Sequence, residues 1–398
     1  MDNKALLLNK NRITSIDLLR GLVMVIMALD HTRDYFHAEA FIYDPTNLQK
    51  TTVVLFFTRW VTHFCAPVFM LLAGTSAFIS GQKKTKKELS VFLLKRGLWL
   101  IFLEFTVLNF AWFFNIHFSF LGLQVIWALG VCMICLSGLI FLPQKIILFL
   151  GLTLVAGHNL LDNFHVPGNS IKALCWGILH ERRPFTFGSF TINTSYPVLP
   201  WIGLMALGYC LSNIFVPGFD AARRKRILIY LGLASVVLFI LIRYINRYGD
   251  LIPWAYQSSP AFSFLSFLNV TKYPPSLDYI LITVGPALLF LAFAEVPLNR
   301  FTKIISIYGR VPLFYYLIHI YVIHLSAMLA AVLTGYKWTD MTSFNRGIHS
   351  VQNLSGYGFS LGIVYLIWIS ITAALYPVCK WYDGYKSTNK EKWWLSYL

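Results

Sequence analysis

The strongest constraint on this chain is a succession of apolar stretches, each long enough to cross a bilayer. A single run of ~18 or more apolar residues reads as a spanning helix, and such runs fill most of the 398 residues. Ten can be read, approximately Ile16 to Phe36, Val53 to Ile79, Leu89 to Phe110, Leu121 to Leu142, Ile146 to Leu161, Pro197 to Val216, Ile227 to Ile245, Leu277 to Val296, Val311 to Leu333 and Tyr357 to Val378. At that length only helices satisfy their own backbone in lipid. The expected fold is therefore all-α, a polytopic membrane helix bundle of about ten transmembrane helices. Composition agrees. Only 13% of residues are charged, against about 25% in soluble proteins, and the mean hydropathy is +0.62. A soluble enzyme, a disordered chain and a coiled coil are excluded. The longest polar connections are Asp162–Tyr196, Asn246–Ser276 and Thr334–Gly356, too short for an inserted domain. Residues 1–398 are thus read as one integral-membrane domain.

The formal charge of +16 raises nucleic acid as a partner. The placement of the charges argues against it. Lys83, Lys84, Lys86 and Lys87 follow the second span, and Arg223, Arg224, Lys225 and Arg226 the sixth. Arg300 and Lys303 follow the eighth, and Lys386, Lys390 and Lys392 sit in the tail. Alternating spans put all of them on one side with Lys4, Lys10 and Arg12, and in all about 19 of the 33 Lys and Arg fall there. The positive-inside rule makes that side cytoplasmic. Both termini, residues 1–15 and 381–398, are expected inside, in a multi-pass protein of the cell (inner) membrane. Loops 37–52, 162–196, 246–276 and 334–356 are expected to face outward. No fixed-period repeat is visible. The polar stretch Met1 to Arg12 does not resemble a cleaved signal peptide. Of six cysteines, Cys132 and Cys135 form a CxxC between Val131 and Leu136 with no second pair or nearby His, so they read as packing residues. No metal is expected.

The first span carries the densest polar information. Thr14 is expected to cap it, with Asp17 closing a capping box, and Arg20 lies one turn on, within reach of Asp17. Arg20 can snorkel to the membrane face or contact the phosphate of a cytosolic nucleotide-like ligand. The same helix then reaches Asp30-His-Thr-Arg-Asp-Tyr-Phe-His37. His31 lies about 16 Å along the axis from Arg20 at ~1.5 Å per residue. His31 and Asp34 share a face, as do Asp30 and Asp34, and Arg33 and His37. A carboxylate one turn from an imidazole can fix its tautomer, the arrangement a general base uses. Ionisable groups at membrane depth cost at least ~2.5 kcal/mol each and mark functional sites by default; the bland reading is an outer-face salt-bridge cluster.

Further polar residues fall at similar depth. Arg59 and His63 share a face of the second span, and Arg59 needs a partner such as Asp30 or Asp34. Lys95 and Arg96 can snorkel or join a phosphate site beside Arg20. Glu104 is buried deeper, and His158 and Asn159 close the fifth span. His319 and His324 are five apart on the ninth span and read as satisfied packing histidines. Tyr196-Pro-Val-Leu-Pro-Trp201 and Thr271-Lys-Tyr-Pro-Pro-Ser-Leu-Asp278 open outer-side helices with Pro in first-turn positions. Their aromatics suit the interfacial belt or an outer cleft where sugar rings stack. No P-loop, GxGxxG at a strand–helix junction, HExxH or GxSxG is present.

Ser15-Ile-Asp-Leu-Leu-Arg-Gly-Leu-Val-Met-Val-Ile-Met-Ala-Leu-Asp-His31 resembles the opening helix of multipass acyltransferases. Arg20, ten residues, then His31 fits the signature of acyltransferase family 3. The stretches Asp30 to Phe36, Leu72-Ala-Gly-Thr-Ser-Ala-Phe, Tyr196 to Gly203, Thr271 to Ser276 and Gly309 to His319 more closely resemble the bacterial group related to heparan-α-glucosaminide N-acetyltransferase. The similarity covers nearly the whole chain. It implies a pore-like bundle in which acyl-CoA enters from the cytosol and an extracytoplasmic saccharide acceptor from the other face. One departure concerns the histidine: lysosomal members resemble this chain with Asn at the position of His31 and the active histidine further on. Here the next one is His37, so either can be catalytic; the Arg-to-His spacing and the reach to Asp34 favour His31.

The leading functional expectation is transfer of an acetyl (acyl) group across the membrane, from cytosolic acetyl-CoA to a sugar amine or hydroxyl. The donor phosphates would lie near Arg20, Lys95 or Arg96. His31 would act as base or acyl carrier, Asp34 would orient it, and Arg59 or His63 would hold charge on the carbonyl oxygen. Asp30 and His37 complete the candidate set. The alternative is a proton-coupled transporter or exporter using the same Asp, His and Arg set as a relay. Acceptor identity, N- versus O-acylation, and whether the protein is a homodimer stay open.

Overall fold

The computed structural model describes residues 13–342 and 354–396. Lys4, Lys10 and Arg12, assigned above to the cytoplasmic side, lie outside the described residues, as does residues 343–353 of the last outward loop. The helices are α1 (Thr14–Phe36), α2 (Val53–Trp60), α3 (Cys65–Gly81), α4 (Lys86–Leu103), α5 (Asn109–Phe113), α6 (Val125–Leu139), α7 (Gln144–Gly157), α8 (Ile171–Leu179), α9 (Leu199–Leu211), α10 (Ala221–Ile245), α11 (Pro260–Leu268), α12 (Leu277–Phe293), α13 (Arg300–Arg310), α14 (Pro312–Leu333) and α15 (Leu361–Thr388). The expected helical character holds in every one of the ten apolar segments. Among the described residues, five helices are long and apolar enough to span a membrane: Val53–Gly81, Gln144–Leu161, Ala221–Ile245, Pro312–Leu333 and Leu361–Thr388. Val125–Leu139, Leu199–Phe215 and Leu277–Phe293 are shorter apolar helices.

Several local expectations are corrected. Ile13, not Thr14, is the N-cap residue of α1, and no side chain caps that end; Asp17 instead lies 3.7 Å from Arg20. The second apolar segment is not one uniform helix, because a 3-10 turn over Val61–Phe64 joins α2 to α3. A π turn over Glu104–Leu108 joins α4 to α5. It turns Glu104 toward the start of α6, where its Oε2 accepts from the Trp127 backbone N–H at 3.0 Å. A carboxylate is well placed there, because the first turn of a helix leaves N–H groups without intrahelical partners. Pro200 sits in the first turn of α9 as expected, whereas Pro274 and Pro275 precede α12, which Ser276 caps.

The fold is also not purely helical. Three short strands, β1 (Phe120–Gly122), β2 (Pro184–Phe187) and β3 (Phe190–Asn193), form a sheet in the order β1-β3-β2. β1 pairs with β3 in parallel, and β2 pairs with β3 antiparallel. Asn109 anchors β1, donating to Phe120 O at 2.9 Å and accepting from Gly122 N at 3.2 Å.

Helix α1 runs through the centre, packed against α3, α12, α13, α14 and α15. Its contact with α13 is close because both helices present glycine. A Cβ on Gly21 would lie 2.0 Å from Ile305 O, and one on Gly309 1.9 Å from Asp17 O. Gly74 of α3 and Gly208 of α9 meet backbone in the same way. In lipid, where hydrophobicity does not drive helices together, small residues that let backbones approach supply the attraction.

Candidate active site

Two cavities, each about 250 Å³, lie in succession along α1. One is lined by Arg20, Met24 and Met27 of α1 together with Ser76, Arg96, Arg310 and Lys386. The other is lined by Met27, Asp30, His31, Arg33 and Asp34 with Arg59, Trp112, Arg182, Tyr196, Lys272, Tyr273 and Tyr316. Met27, Phe69, Val125 and Tyr316 line both and form the partition between them.

His31 stands on the far side of that partition from Arg20, one helical turn beyond Met27. Its ring is 7% exposed. Trp112 meets it edge-on at 4.8 Å, and Tyr316 at 6.0 Å. Its Nδ1 lies 2.8 Å from His319 Nε2, with the two rings stacked 5.0 Å apart. The proton positions follow from the next link. His319 Nδ1 lies 2.7 Å from the Tyr315 carbonyl oxygen, which can only accept. Nδ1 of His319 therefore carries a hydrogen, and in the neutral ring its Nε2 is the acceptor. His31 must then donate through Nδ1, which leaves Nε2 with a free lone pair on a ring that lines the second cavity.

This corrects the expected orienting partner. Asp34 does not hold His31; its Oδ1 takes Arg33 Nη2 at 2.5 Å. His319 does the holding. It is the satisfied packing histidine the sequence suggested, but one of its two bonds goes to His31. Its signal lay at the end of the Gly309 to His319 stretch, yet nothing in the sequence says that α14 brings it to α1.

Asp30 sits between two guanidinium groups. Arg33 Nη2 is 2.8 Å from its Oδ1, and Arg59 bonds its Oδ2, the partner expected for Arg59. Arg59 also reaches Thr62 Oγ1 at 3.3 Å. His63 is 3% exposed and lies against Tyr279, its ring 5.4 Å from the tyrosine ring, rather than lining the cavity. His37 ends α1, its backbone joined to the Phe359 strand contact, and is outside the lining. Burial holds His37 below its ordinary imidazole value. Of the residues expected at a phosphate site, Arg20 and Arg96 line the first cavity, and Lys95 is exposed elsewhere. Arg20 donates to Ser76 Oγ at 2.9 Å and to Gly309 O at 3.3 Å. Arg310 and Lys386, which the sequence reading did not place at this site, complete the basic lining; Arg310 pairs with Asp383 at 2.8 Å.

Loops build part of the second cavity's wall. Tyr196 and Tyr273 stack edge-on at 5.0 Å, and Arg182 lies 4.5 Å over the Tyr273 ring. Burial alone would raise the Tyr273 phenol, but Lys272, Arg59 and Arg182 outweigh it and pull it down to about 8. Arg243, 2% exposed, fixes this loop from behind, donating to the carbonyls of Ile252, Ser266, Phe267 and Asn269 at 2.8–3.2 Å. Asp250 accepts from Thr271 N, Thr271 Oγ1 and Ser276 Oγ at 2.6–2.7 Å, so the Lys272-Tyr273 pair is presented by a fully bonded turn.

Residues 12–255, more than half of the chain, match the heparan-alpha-glucosaminide N-acetyltransferase catalytic family. The chain belongs to this family. Membership implies an acetyltransferase-type activity, and with the apolar helices it makes the protein a membrane enzyme. The match takes in α1, the Arg59 helix, β1 to β3 and the Tyr196 turn, but stops before Lys272 and His319. No curated protein matches the chain.

Proposed function

We propose that the protein moves an acetyl group from cytosolic acetyl-CoA to an extracytoplasmic saccharide, with His31 as the base. The single observation carrying this reading is the hydrogen-bonded series Tyr315 O, His319, His31, which leaves His31 Nε2 as an acceptor beside a cavity. The basic cavity at the other end of α1 suits the donor. Arg20, Arg96, Arg310 and Lys386 offer charge to the CoA phosphates, and guanidinium groups bind phosphate in pairs of bonds. The pantetheine arm would thread from there toward Met27, bringing the thioester close to His31, about 16 Å along α1 from Arg20.

Nε2 takes the proton from the acceptor amine or hydroxyl as that atom attacks the thioester carbonyl. The carbonyl oxygen gains negative charge as the tetrahedral adduct forms. Arg59, on the same cavity wall, supplies the compensating positive charge. Collapse of the adduct expels CoA thiolate, and the proton held on His31 Nε2 neutralises it. Lys272 and Arg182 have no carboxylate within ion-pair distance among the described residues. They favour an acceptor that carries negative charge, and Tyr196 and Tyr273 offer ring faces for its sugar. The charge asymmetry of the loops favours an Arg20 end facing the cytoplasm of a cell (inner) membrane, the orientation this reading needs.

Vesicles holding the purified protein test this with radiolabelled acetyl-CoA. Wild type should release or transfer label, and His31→Ala should not, while keeping its unfolding temperature. Activity retained in His31→Ala would end the assignment. Proton-driven solute uptake with no turnover of acetyl-CoA would make the protein a transporter instead.

A further inference from the structure

Away from both cavities, the end of α7 holds a second group of polar side chains. A 3-10 turn over His158–Leu161 follows α7, and Asp162 caps it. His180 ends α8 from across the connection. One ligand-type atom from each of His158, Asp162 and His180 lies within 4.8 Å of the other two. The two histidines are 2% and 3% exposed, and their rings meet at 5.5 Å, tilted by 69°.

The hydrogen bonding in this group is incomplete in a specific way. Both ring nitrogens of His158 are shielded from solvent without a partner, and so is His180 Nδ1. A buried polar group left unsatisfied costs about 1–3 kcal/mol, so a nearly fully buried imidazole with neither nitrogen bonded calls for a ligand. Asp162, by contrast, is held: its Oδ2 accepts from Asn159 Nδ2 at 2.8 Å, and Asn159 Oδ1 accepts from Leu277 N at 3.0 Å. Its other oxygen, Oδ1, faces His180 Nε2 at 3.1 Å. A carboxylate oriented by an amide, facing two imidazoles, is the arrangement in which outer groups fix metal ligands.

We propose that His158, Asp162 and His180 bind one divalent transition-metal ion of the Zn²⁺ class, with a fourth position for water. Two imidazole nitrogens and one carboxylate oxygen suit Zn²⁺. Ca²⁺ and Mg²⁺, which take six or more oxygen ligands, do not fit this set. Tetrahedral bonds of ~2.0–2.1 Å need ligand atoms about 3.4 Å apart, so binding requires the three side chains to draw in from a spacing of up to 4.8 Å. The ion joins the end of α7 to the connection that carries β2, β3 and Arg182, so it clamps the wall of the outer cavity rather than taking part in the reaction.

The test uses the full chain in detergent with any affinity tag removed. After chelator treatment and dialysis, Zn²⁺ alone should bind at one equivalent per chain and raise the unfolding temperature by several degrees. Co²⁺ should give the intense visible bands of a tetrahedral site. His180→Gln and Asp162→Asn should each lose the bound equivalent and the thermal shift, and His31→Ala should keep both. Absence of stoichiometric Zn²⁺ binding in wild type, or the weak bands of octahedral Co²⁺, would overturn the proposal without recourse to any variant. So would full binding in both His180→Gln and Asp162→Asn.

Discussion

His31 and His319, 288 residues apart in sequence, meet through one hydrogen bond of 2.8 Å between Nδ1 and Nε2. If His31 is the base proposed above, this bond makes His319 a positioning residue that acts through it. His319→Ala should lower kcat by about 10–100-fold with little change in the KM for acetyl-CoA, because it frees the ring without touching the donor. His319→Gln, whose amide oxygen can still accept from His31, should recover part of the loss. A structural role alone would move the unfolding temperature and leave the two variants equally inactive.

At the opposite cavity the expected signature is the reverse. Arg20→Gln and Arg96→Gln should raise the KM for acetyl-CoA by about 10–100-fold while kcat stays nearly constant, since a hydrogen bond to a charged group contributes about 1.5–3 kcal/mol in both ground and transition states. Lys95→Gln should stay within about twofold of wild type, because Lys95 points away from the lining. Initial-rate kinetics in vesicles separate these cases.

The α1–α13 contact should tolerate no side chain. Gly309→Ala places a methyl group on the Asp17 backbone, and overpacking of this kind destabilises by about 1–3 kcal/mol. Thermal unfolding in detergent should show a clear fall, with the KM for the donor rising as Arg20 shifts. The same substitution at Gly138, where a Cβ meets nothing within 4 Å, is the control.

How far the sequence foretold these features depends on whether the signal was local. Helix positions followed from apolar runs, and the pair Asp17–Arg20 from its spacing within one helix, whereas Asp30–Arg33 was not read from the same spacing. Arg59 could be matched to Asp30 because a charge at membrane depth must find an opposite one. His31–His319 has no such local pattern: it depends on which faces of α1 and α14 meet. Glu104 reaches α6 only because of a π turn, and β1 to β3 are too short to show alternation. Arg243 was hidden for another reason. Its partners are backbone carbonyls, which any residue supplies and no sequence motif records.

Arg243→Met should be among the most damaging substitutions outside the cavities. It would leave four carbonyls and the nearby Asp250 and Asp278 without their cation, and removing one partner of a buried pair costs about 3–5 kcal/mol. Limited proteolysis should then cut within 246–276 in the variant and spare the wild type.

Tyr273 should titrate early. Its phenol is drawn down from the ordinary tyrosine value to about 8 by Lys272, Arg59 and Arg182, against burial. A depressed acid stabilises the fold above its unfolded value and loses that contribution as pH falls through the folded one. The gap in unfolding temperature between wild type and Tyr273→Phe should therefore widen in favour of wild type from pH 8 to 10. Ultraviolet titration should show a phenolate near pH 8 that Tyr273→Phe lacks.

The partition of Met27, Phe69, Val125 and Tyr316 has an electrical consequence. Two solvent-reached hollows that joined would short-circuit any gradient held across the bilayer. The apolar side chains of Met27, Phe69 and Val125 oppose this, because a hydrated ion would have to shed its water to pass, while a neutral two-carbon unit has little water to lose. On the proposed reading, such a barrier filters by hydration rather than by size, passing a two-carbon unit while ion gradients are kept.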